Sequence, residues 1–400
     1  MTLDSKIFNP EAKVLHNLER VLKYFKDNTV DPISLEIDPS NACNHSCPFC
    51  ISGHIHLSKF KGTEFFNRQM MSKEVLMNLV KDLSKTGIKA ISFTGGGEPT
   101  MNPHLKEGIK YLKKNSNIDL GMFSNGTMFK RFNLFETITD CLTWIRISID
   151  SGNEKSYDNL RATNKNNNFS TVLENIKELI KIKKERKSNL TIGVGFVVTQ
   201  ENYKEVLEFA ELFKEIEVDY CQYKPEIIQI ERNTSSDKKE QIAPEFWADT
   251  VIDLLNQASK ILGNKFQCNS YKVEDLIVDN SKTYGREYKQ CIGSQFQPCI
   301  GADGELYVCT NHRGHKNYSY GSLYEKSFSE IWSDVSKRKC IMNTIENKEK
   351  FSNCSQLCKP HESNKLLWKI KNNLDNPKVI EELKVKSKEN MDKVLHKNFI

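Results

Sequence analysis

The sequence predicts an α/β fold: a partial (β/α)6 barrel of the TIM type followed by a C-terminal cysteine-rich domain. Two observations support this prediction. Short runs rich in β-branched and aromatic residues alternate with amphipathic segments up to about residue 230, and this alternation is typical of parallel strands joined by right-handed crossover helices. From Cys291 to Cys358 the chain then carries six cysteines, a density that indicates metal ligands in a protein without a secretory signal.

The elements of the barrel follow one another from the N-terminus. Asn9 is a suitable helix cap, Pro10 suits the first helical position, and apolar residues recur on one helical face as far as Phe25. Six strands follow, at residues 33–37, 90–93, 118–123, 144–149, 190–198 and 220–224. Eight strands would close a full barrel, so six predict a partly open barrel with a wider lumen.

Two of these strands alternate apolar with polar residues. The fourth strand has isoleucine at positions 145, 147 and 149, and its other face carries Arg146, Ser148 and Asp150. The sixth strand places a second polar row on one face, formed by Tyr220, Gln222, Lys224 and Glu226. Because buried charges need partners, we expect these rows to line a ligand-binding lumen. The alternative is that they lie at a rim and face water.

Composition limits the class of protein. The 400 residues include 38% hydrophobic residues, enough for a sizeable core, but no apolar run long enough to span a membrane. The first residues do not resemble a secretory signal, so we expect a cytoplasmic protein with reduced thiols. The net charge is only +6, from 58 basic and 52 acidic residues, so no specific nucleic-acid partner is expected.

Three cysteines directly after the first strand form a C-x3-C-x2-C motif: Cys43, Cys47 and Cys50. A structural zinc site needs four protein ligands, which this loop does not supply by itself. Three thiolates can instead hold three irons of a [4Fe–4S] cube, and the fourth iron then stays open to a small molecule. A zinc site that borrows His45 or His54 as its fourth ligand is the alternative.

This motif resembles the cluster-binding motif of the radical S-adenosylmethionine (radical SAM) enzymes, and Phe49 matches the aromatic residue before their third cysteine. The resemblance implies that SAM binds the open iron through its amino and carboxylate groups. One electron then splits SAM into methionine and a 5′-deoxyadenosyl radical, which abstracts hydrogen from the substrate. It also implies an external electron donor such as flavodoxin or ferredoxin.

Motifs at the ends of the following strands extend the resemblance. Gly96, Gly97 and Glu98 resemble the Gly-Gly-Glu motif, in which the backbone and the glutamate accept the methionyl ammonium of SAM. Ser124 and Asn125 end the third strand, where relatives place a polar residue near the ribose.

The fourth and fifth strands carry the other two motifs of the SAM site. Ser148 and Asp150 end the fourth strand, and the spacing to Arg161 implies that this arginine reaches the SAM carboxylate. Val197, in the segment 195–199, corresponds to the family's adenine-contacting segment.

The C-terminal cysteines resemble the auxiliary-cluster domains called SPASM and Twitch. Cys291, Gly304 and Cys309 match the element that opens these domains, and residues 300–308 predict a hairpin. The shorter Twitch layout implies one auxiliary [4Fe–4S] cluster held by Cys291, Cys309, Cys354 and Cys358. A zinc site of four thiolates is the alternative, and Cys299 or Cys340 could replace one ligand. We interpret Cys141, Cys221 and Cys268 as core residues.

The predicted organisation has five parts: an N-terminal amphipathic helix (1–32), the barrel (33–230), a linker and helix (231–284), a SPASM/Twitch-like domain (285–360) and a Lys-rich helical tail (361–400). The layout most resembles the 2-deoxy-scyllo-inosamine dehydrogenase-like enzymes. That resemblance implies an oxidoreductase that acts on a small polar metabolite, such as a sugar or cyclitol, with the auxiliary cluster handling an electron. Alternatives are a maturase of ribosomally made peptides and a non-catalytic metal-binding or RNA-binding protein. No catalytic side chain is predicted.

Overall fold

The computed structural model describes residue 7 and residues 9–161, 168–226, 246–268, 288–346, 354, 358–389 and 394–400. The strands of the described chain are β1 (Ser34–Ile37), β2 (Ala90–Phe93), β3 (Asp119–Ser124), β4 (Trp144–Ser148), β5 (Thr191–Val198), β6 (Tyr220–Pro225), β7 (Phe266–Cys268), β8 (Cys299–Ile300), β9 (Glu305–Tyr307) and β10 (Ser319–Ser322). All six predicted barrel strands are present, each within one residue of its predicted bounds.

Helices connect these strands and flank the sheet. They are α1 (Pro10–His16), α2 (Leu18–Asp27), α3 (Gly53–His56), α4 (Lys73–Leu83), α5 (Leu105–Asn115), α6 (Phe135–Cys141), α7 (Glu154–Arg161), α8 (Asn168–Glu185), α9 (Val206–Glu215), α10 (Ile252–Leu262), α11 (Phe328–Ser333), α12 (Val335–Ile345), α13 (His361–Lys371) and α14 (Pro377–Glu389). Asn9 caps α1 as predicted, because its Oδ1 accepts from Ala12 N at 2.9 Å. The single N-terminal helix that we predicted is broken at Asn17 into α1 and α2.

The strands form one sheet in the order β10–β9–β8–β1–β2–β3–β4–β5–β6–β7. From β1 to β6, each strand pairs in parallel with the next along the chain, which is the arrangement of a partial (β/α)6 barrel. Two pairings that were not predicted lengthen the sheet: β7, a strand that was not predicted, pairs in parallel with β6, and β8 pairs in parallel with β1. The predicted hairpin at 300–308 is the antiparallel pair β8–β9. The cysteine-rich region therefore continues the barrel sheet.

The two faces of the barrel strands differ as predicted. Ile145, Ile147 and Ile149 are completely buried in the core beneath the helices, and Cys141, Cys221 and Cys268 are core residues too. The opposite face surrounds a cavity of about 400 Å³, which we call the lumen. Its lining includes most of the two predicted polar rows: Arg146, Ser148, Tyr220, Gln222 and Lys224. The polar rows thus line a cavity, although Asp150 and Glu226 are not among its lining residues. That the cavity binds a ligand stays a prediction.

Aromatic side chains close the lumen at the N-terminal ends of the strands. A Cβ atom on Gly121 would lie 2.2 Å from Trp144 Cε2, and one on Gly193 would lie 2.1 Å from Tyr220 Cζ. The two glycines thus make room for the indole and the phenol. The Phe399 ring packs edge-on against Trp144 with 5.3 Å between ring centroids. We call Trp144, Tyr220 and Phe399 the floor of the lumen.

The C-terminal tail reaches the floor after two helices. Residues 361–400 were predicted as a helical tail interrupted at Pro377, and the structure has α13 and then α14, which begins at Pro377. Beyond them, the described residues 394–400 return to the barrel, where Lys13 Nζ donates to Phe399 O at 3.0 Å. No helix among the described residues is long and apolar enough to span a membrane. The cytoplasmic location and the domain boundaries stay predictions.

Replacing Gly121 by alanine should destabilise the protein, because the new methyl group would overlap the Trp144 ring in the floor. We expect a loss of about 1–3 kcal/mol in the free energy of unfolding, measured by urea denaturation. Gly108→Ala is the matched control. Gly108 lies within α5, and a Cβ atom there would lie 3.6 Å from Val80 Cγ1, an ordinary van der Waals distance. The change should therefore be neutral or stabilise the protein by up to about 1 kcal/mol. Equal effects of the two changes would contradict the described floor.

Candidate active site

The cysteine loop, residues 38–50, follows β1 at the C-terminal edge of the sheet. Cys47 is buried, and Cys43 and Cys50 are half-buried; Phe49 beside them is half-buried too. Burial and, to a smaller extent, the neighbouring Cys47 thiol raise the pKa of Cys50 to about 12. Uncompensated thiolates are therefore unfavourable here. Bound iron would reverse this balance, since a coordinating thiol is deprotonated by its metal.

Backbone contacts hold the cysteine loop against the glycine loop, residues 95–98, at the end of β2. Gly97 N donates to Ser40 O at 3.0 Å, and Glu98 N donates to Ala42 O at 2.9 Å. A Cβ atom on Gly97 would lie 2.2 Å from Ala42 O, so no larger residue fits between the loops.

A spare hydrogen-bond acceptor lies between these two loops. A Cβ atom on Gly96 would lie 2.2 Å from Asn41 Oδ1, and this buried oxygen has no hydrogen-bond partner among the described residues. A buried, unsatisfied acceptor beside a glycine backbone fits a ligand that brings N–H donors. The methionyl ammonium of SAM is such a ligand.

Glu98 connects the ends of the second and third strands. Its Oε1 accepts from Ser124 Oγ at 2.8 Å and from the Thr100 hydroxyl at 2.6 Å, and its Oε2 accepts from Asn125 N at 2.7 Å. Burial raises the pKa of Glu98, and these hydrogen bonds oppose the rise. In the structure, Glu98 therefore joins the ends of β2 and β3. Its contact with the SAM ammonium stays a prediction.

Asn125 continues this connection to the cysteine loop. Its Nδ2 donates to Asn44 Oδ1 at 2.8 Å, and the Asn44 amide donates to Thr127 Oγ1 at 2.9 Å. Ser124 and Asn125 are both buried. The structure thus brings them beside the predicted cluster and SAM sites, and their contact with the ribose stays a prediction.

Asp150 and Arg161 form a buried ion pair, with 2.5 Å between Asp150 Oδ2 and Arg161 Nη2. Asp150 Oδ1 accepts from Val197 N at 2.7 Å, which joins the ends of β4 and β5. Arg161 Nη1 lies 3.6 Å from Cys47 Sγ. Burial lowers the pKa of Arg161, but Asp150 and the Cys47 thiolate outweigh burial and raise it. Its predicted contact with the SAM carboxylate stays a prediction, because the guanidinium is directed at Asp150 and Cys47.

The site has a central arginine that the sequence did not reveal. Arg313 forms a buried ion pair with Asp38, and its Nη1 donates to Ser52 Oγ at 2.7 Å and lies 3.3 Å from Gly95 O. Burial raises the pKa of Asp38 to about 7, although the guanidinium opposes the rise. Arg313 lies four residues after Cys309, so it links the cysteine-rich region to both loops of the barrel.

The sequence contains a signal for Asp38, the acidic member of this ion pair. β1 alternates like the fourth and sixth strands, with apolar Leu35 and Ile37 on one face and acidic Glu36 and Asp38 at the other positions. A carboxylate row in a buried strand predicts basic partners. The sequence pattern does not say which basic residue supplies them.

The structure brings together three of the four predicted auxiliary ligands. Burial raises the pKa of Cys309 to about 12, and the Cys291 and Cys354 thiols are the next largest causes of the rise. Cys358 is buried as well. Of the two alternative ligands, Cys340 is exposed, and Cys299 lies 3.6 Å from Arg313 Nη2.

No three His, Cys, Asp or Glu side chains in the described ranges converge on a position for one metal ion. Thiolates bound to different irons of a cube need not converge on one point. The described thiol positions are therefore compatible with the predicted clusters, and the four auxiliary ligands stay a prediction.

Comparison with known families agrees with this geometry. The radical SAM superfamily model matches residues 37–213, and the model of the iron–sulfur cluster-binding SPASM domain matches residues 291–359. The chain therefore contains a radical SAM domain followed by a SPASM domain, as predicted. The predicted cofactors are thereby confirmed: SAM, a SAM-binding [4Fe–4S] cluster and auxiliary iron–sulfur chemistry.

Individual relatives are distant. A probable GTP 3′,8-cyclase of Saccharolobus solfataricus is 28% identical over 185 residues, which cover 46% of this chain and 54% of that protein. The chain thus spans about half the length of this relative. A GTP 3′,8-cyclase of Staphylococcus epidermidis is 23% identical over 343 residues and is covered to 93% of its length, against 79% of this chain.

Two solved structures share the fold of this radical SAM protein. Streptococcus suis SuiB bound to precursor peptide SuiA superposes with a TM-score of 0.58 at 16% identity, covering 82% of this chain and 70% of SuiB. Native anSMEcpe with bound AdoMet superposes with a TM-score of 0.55 at 18% identity, covering 88% of this chain and 99% of anSMEcpe. The predicted likeness to 2-deoxy-scyllo-inosamine dehydrogenase stays a prediction.

Removing the Arg161 side chain should strongly destabilise the protein, because Asp150 would stay buried without its counterion. Arg161→Ala should lower the free energy of unfolding by about 3–5 kcal/mol in urea denaturation. Arg186→Ala is the control, since it breaks an exposed pair with Asp140 and should change stability little. A small effect of Arg161→Ala, equal to that of the control, would show that the buried pair is not formed.

Proposed function

We propose that this radical SAM protein generates the 5′-deoxyadenosyl radical and uses it to abstract hydrogen from a small polar metabolite bound in the lumen. One observation supports this proposal above the others. The lining of the lumen includes Ile51, which follows Cys50, together with Gly95 of the glycine loop and Thr310, which follows Cys309. A molecule in the lumen would therefore lie beside the SAM-binding cysteines on one side and beside the auxiliary cysteines on the other.

The shape of the lumen favours a small substrate. Its volume of about 400 Å³ suits a compact metabolite, and the floor closes it at the end away from the cysteine loop. A closed floor also excludes water from the space in which a carbon radical would form. The polar row of β6, Gln222 and Lys224, supplies groups that could orient such a substrate.

The relatives support two substrate classes. A GTP 3′,8-cyclase, by its name, acts on a small polar molecule, and this favours our proposal. SuiB, whose structure holds a precursor peptide, favours the alternative of a peptide maturase. A peptide could place only a side chain in a lumen of this size, so we prefer the metabolite.

An oxidation would need two one-electron events. Bound SAM, given one electron by an external donor such as flavodoxin or ferredoxin, would supply the first event by taking one hydrogen atom from the substrate, with methionine and 5′-deoxyadenosine as its products. Loss of a proton and one more electron then gives the oxidised product. When bound, the auxiliary cluster supplies an acceptor for that electron, because four thiolate ligands leave no iron open for SAM. We therefore propose a dehydrogenase-like oxidoreductase.

Two sets of cysteine variants separate the proposed roles. Wild-type protein, reconstituted without oxygen, should hold about eight irons and form 5′-deoxyadenosine when reduced with SAM. Changing Cys43, Cys47 and Cys50 together to alanine should halve the iron and abolish this product. Changing Cys309 and Cys354 should also lower the iron, but SAM cleavage should stay measurable while substrate oxidation is lost. Metal analysis and chromatography of 5′-deoxyadenosine give both readouts.

Two outcomes would refute the assignment. One is SAM cleavage that survives the triple change. The other is stoichiometric zinc instead of iron in the C-terminal cysteines of the wild-type protein, which would remove the electron-acceptor role. Circular dichroism of each variant separates loss of a cluster from loss of the fold.

A further inference from the structure

Arg146 is a basic residue of the lumen whose charge has no carboxylate partner at ion-pair distance among the described residues. Its Nη1 donates to the side-chain oxygen of Gln222, and its guanidinium lies over the Phe123 ring, 4.3 Å from the centroid. Its Nε is buried and has no hydrogen-bond partner among the described residues. By contrast, Arg161 pairs with Asp150 and Arg313 pairs with Asp38.

Arg146 is half-buried where it lines the lumen. A guanidinium partly removed from water still needs a counterion and acceptors for its N–H groups, and a neutral amide supplies only part of both. No side chain from Gly195 covers the guanidinium, since a Cβ atom there would lie 3.4 Å from Arg146 Nε. A guanidinium with a free N–H edge matches a carboxylate or phosphate group, which can accept two parallel hydrogen bonds.

The charges that line the lumen favour the same ligand. Among the described residues that line the lumen, Glu36 is acidic, and the basic ones are Lys13, Arg146, Lys224, Arg313 and Lys359. Glu36 pairs with Lys359 and lies 4.0 Å from Arg313 Nη2, so it acts on Arg146 only at longer range. Arg313 and Lys359 are thus paired with carboxylates, whereas Arg146 has no such partner among the described residues, so an anion in the lumen is attracted to Arg146.

We propose that the substrate carries an anionic group, a carboxylate or a phosphate, that binds Arg146 near the floor of the lumen. This inference rests on the proposed function and narrows its substrate class. Arg146 lies between Trp144 of the floor and Ser148 along β4. An anion bound there is the deepest part of the substrate, and the opposite end points towards the cysteine and glycine loops. Arg146 is then a specificity-determining residue.

Anion binding to the reconstituted full-length protein with SAM tests this directly. Isothermal titration at low ionic strength compares three probes: inorganic phosphate, malonate and neutral malonamide. Phosphate or malonate should bind saturably and malonamide should not, and the better anion identifies the anionic group. Arg146→Gln should weaken that binding at least tenfold, whereas Arg186→Gln, a change of an exposed arginine, should not.

Gln222→Glu is the sharper variant, because it keeps Arg146 and nearly the same shape. The new carboxylate would pair with the guanidinium to which Gln222 is already bonded, so it should displace the anion and weaken binding at least tenfold. It also decides the matter if Arg146→Gln does not fold. Unchanged anion binding in Gln222→Glu, or no anion binding in the wild type, would overturn the inference.

The two proposals fail in different ways. Formation of 5′-deoxyadenosine is measured in the same wild-type preparation. If SAM is cleaved but anion binding does not depend on Arg146, the inference is wrong and the proposed function stands. If SAM is not cleaved, the proposed function is wrong, whatever the anion titration gives.

Discussion

The contact between the cysteine loop and the glycine loop is the constraint on which the rest of the site depends. Two backbone hydrogen bonds join them, and the space between Gly97 and Ala42 leaves no room for a Cβ atom. The contact places Cys43 directly beside Glu98, whose carboxylate holds the end of β3. Parallel strands end at one edge of the sheet. The contact between the two loops therefore brings the ends of β1, β2 and β3 together beside the cysteines.

A second constraint ties the cysteine-rich region to the barrel. β8 pairs with β1, and Arg313 reaches from the segment after Cys309 to Asp38, Ser52 and Gly95. Both members of the Arg313–Asp38 ion pair are buried. Separating the cysteine-rich region from the barrel would leave each charge without its partner and would cost substantial free energy. The lumen is therefore bounded by groups from both parts, and its relation to the two cysteine sets is fixed by the same residues that stabilise the fold.

The sequence predicted those features that depend on local periodicity and spacing. Strand alternation located β1–β6 and the apolar and polar faces of β4, and cysteine spacing located the loop after β1. The three-residue β7 is too short to show a period, and no local pattern specifies the pairing of β8 with β1. Motifs also predicted that Glu98 and Arg161 contact SAM, without showing their partners within the protein. Both are engaged by neighbouring protein groups, which depends on distances that a motif does not contain.

Long-range contacts were beyond the sequence for a different reason. Arg313 and Asp38 are far apart along the chain, as are Phe399 and Trp144, and nothing in the local pattern of either residue specifies the other. The floor depends on two inward-facing glycines whose role is visible only once Trp144 and Tyr220 are beside them. The absence of a described carboxylate at ion-pair distance from Arg146 is of the same kind, because it depends on all the described side chains that surround this arginine.

Electron paramagnetic resonance of the reconstituted, chemically reduced protein tests most directly whether the cysteine loop holds a cluster with an iron open to SAM. Adding SAM should shift the g-values of that cluster, because the amino and carboxylate groups become iron ligands, and should leave the auxiliary signal unchanged. Identical spectra with and without SAM would contradict the site described for Cys43, Cys47 and Cys50.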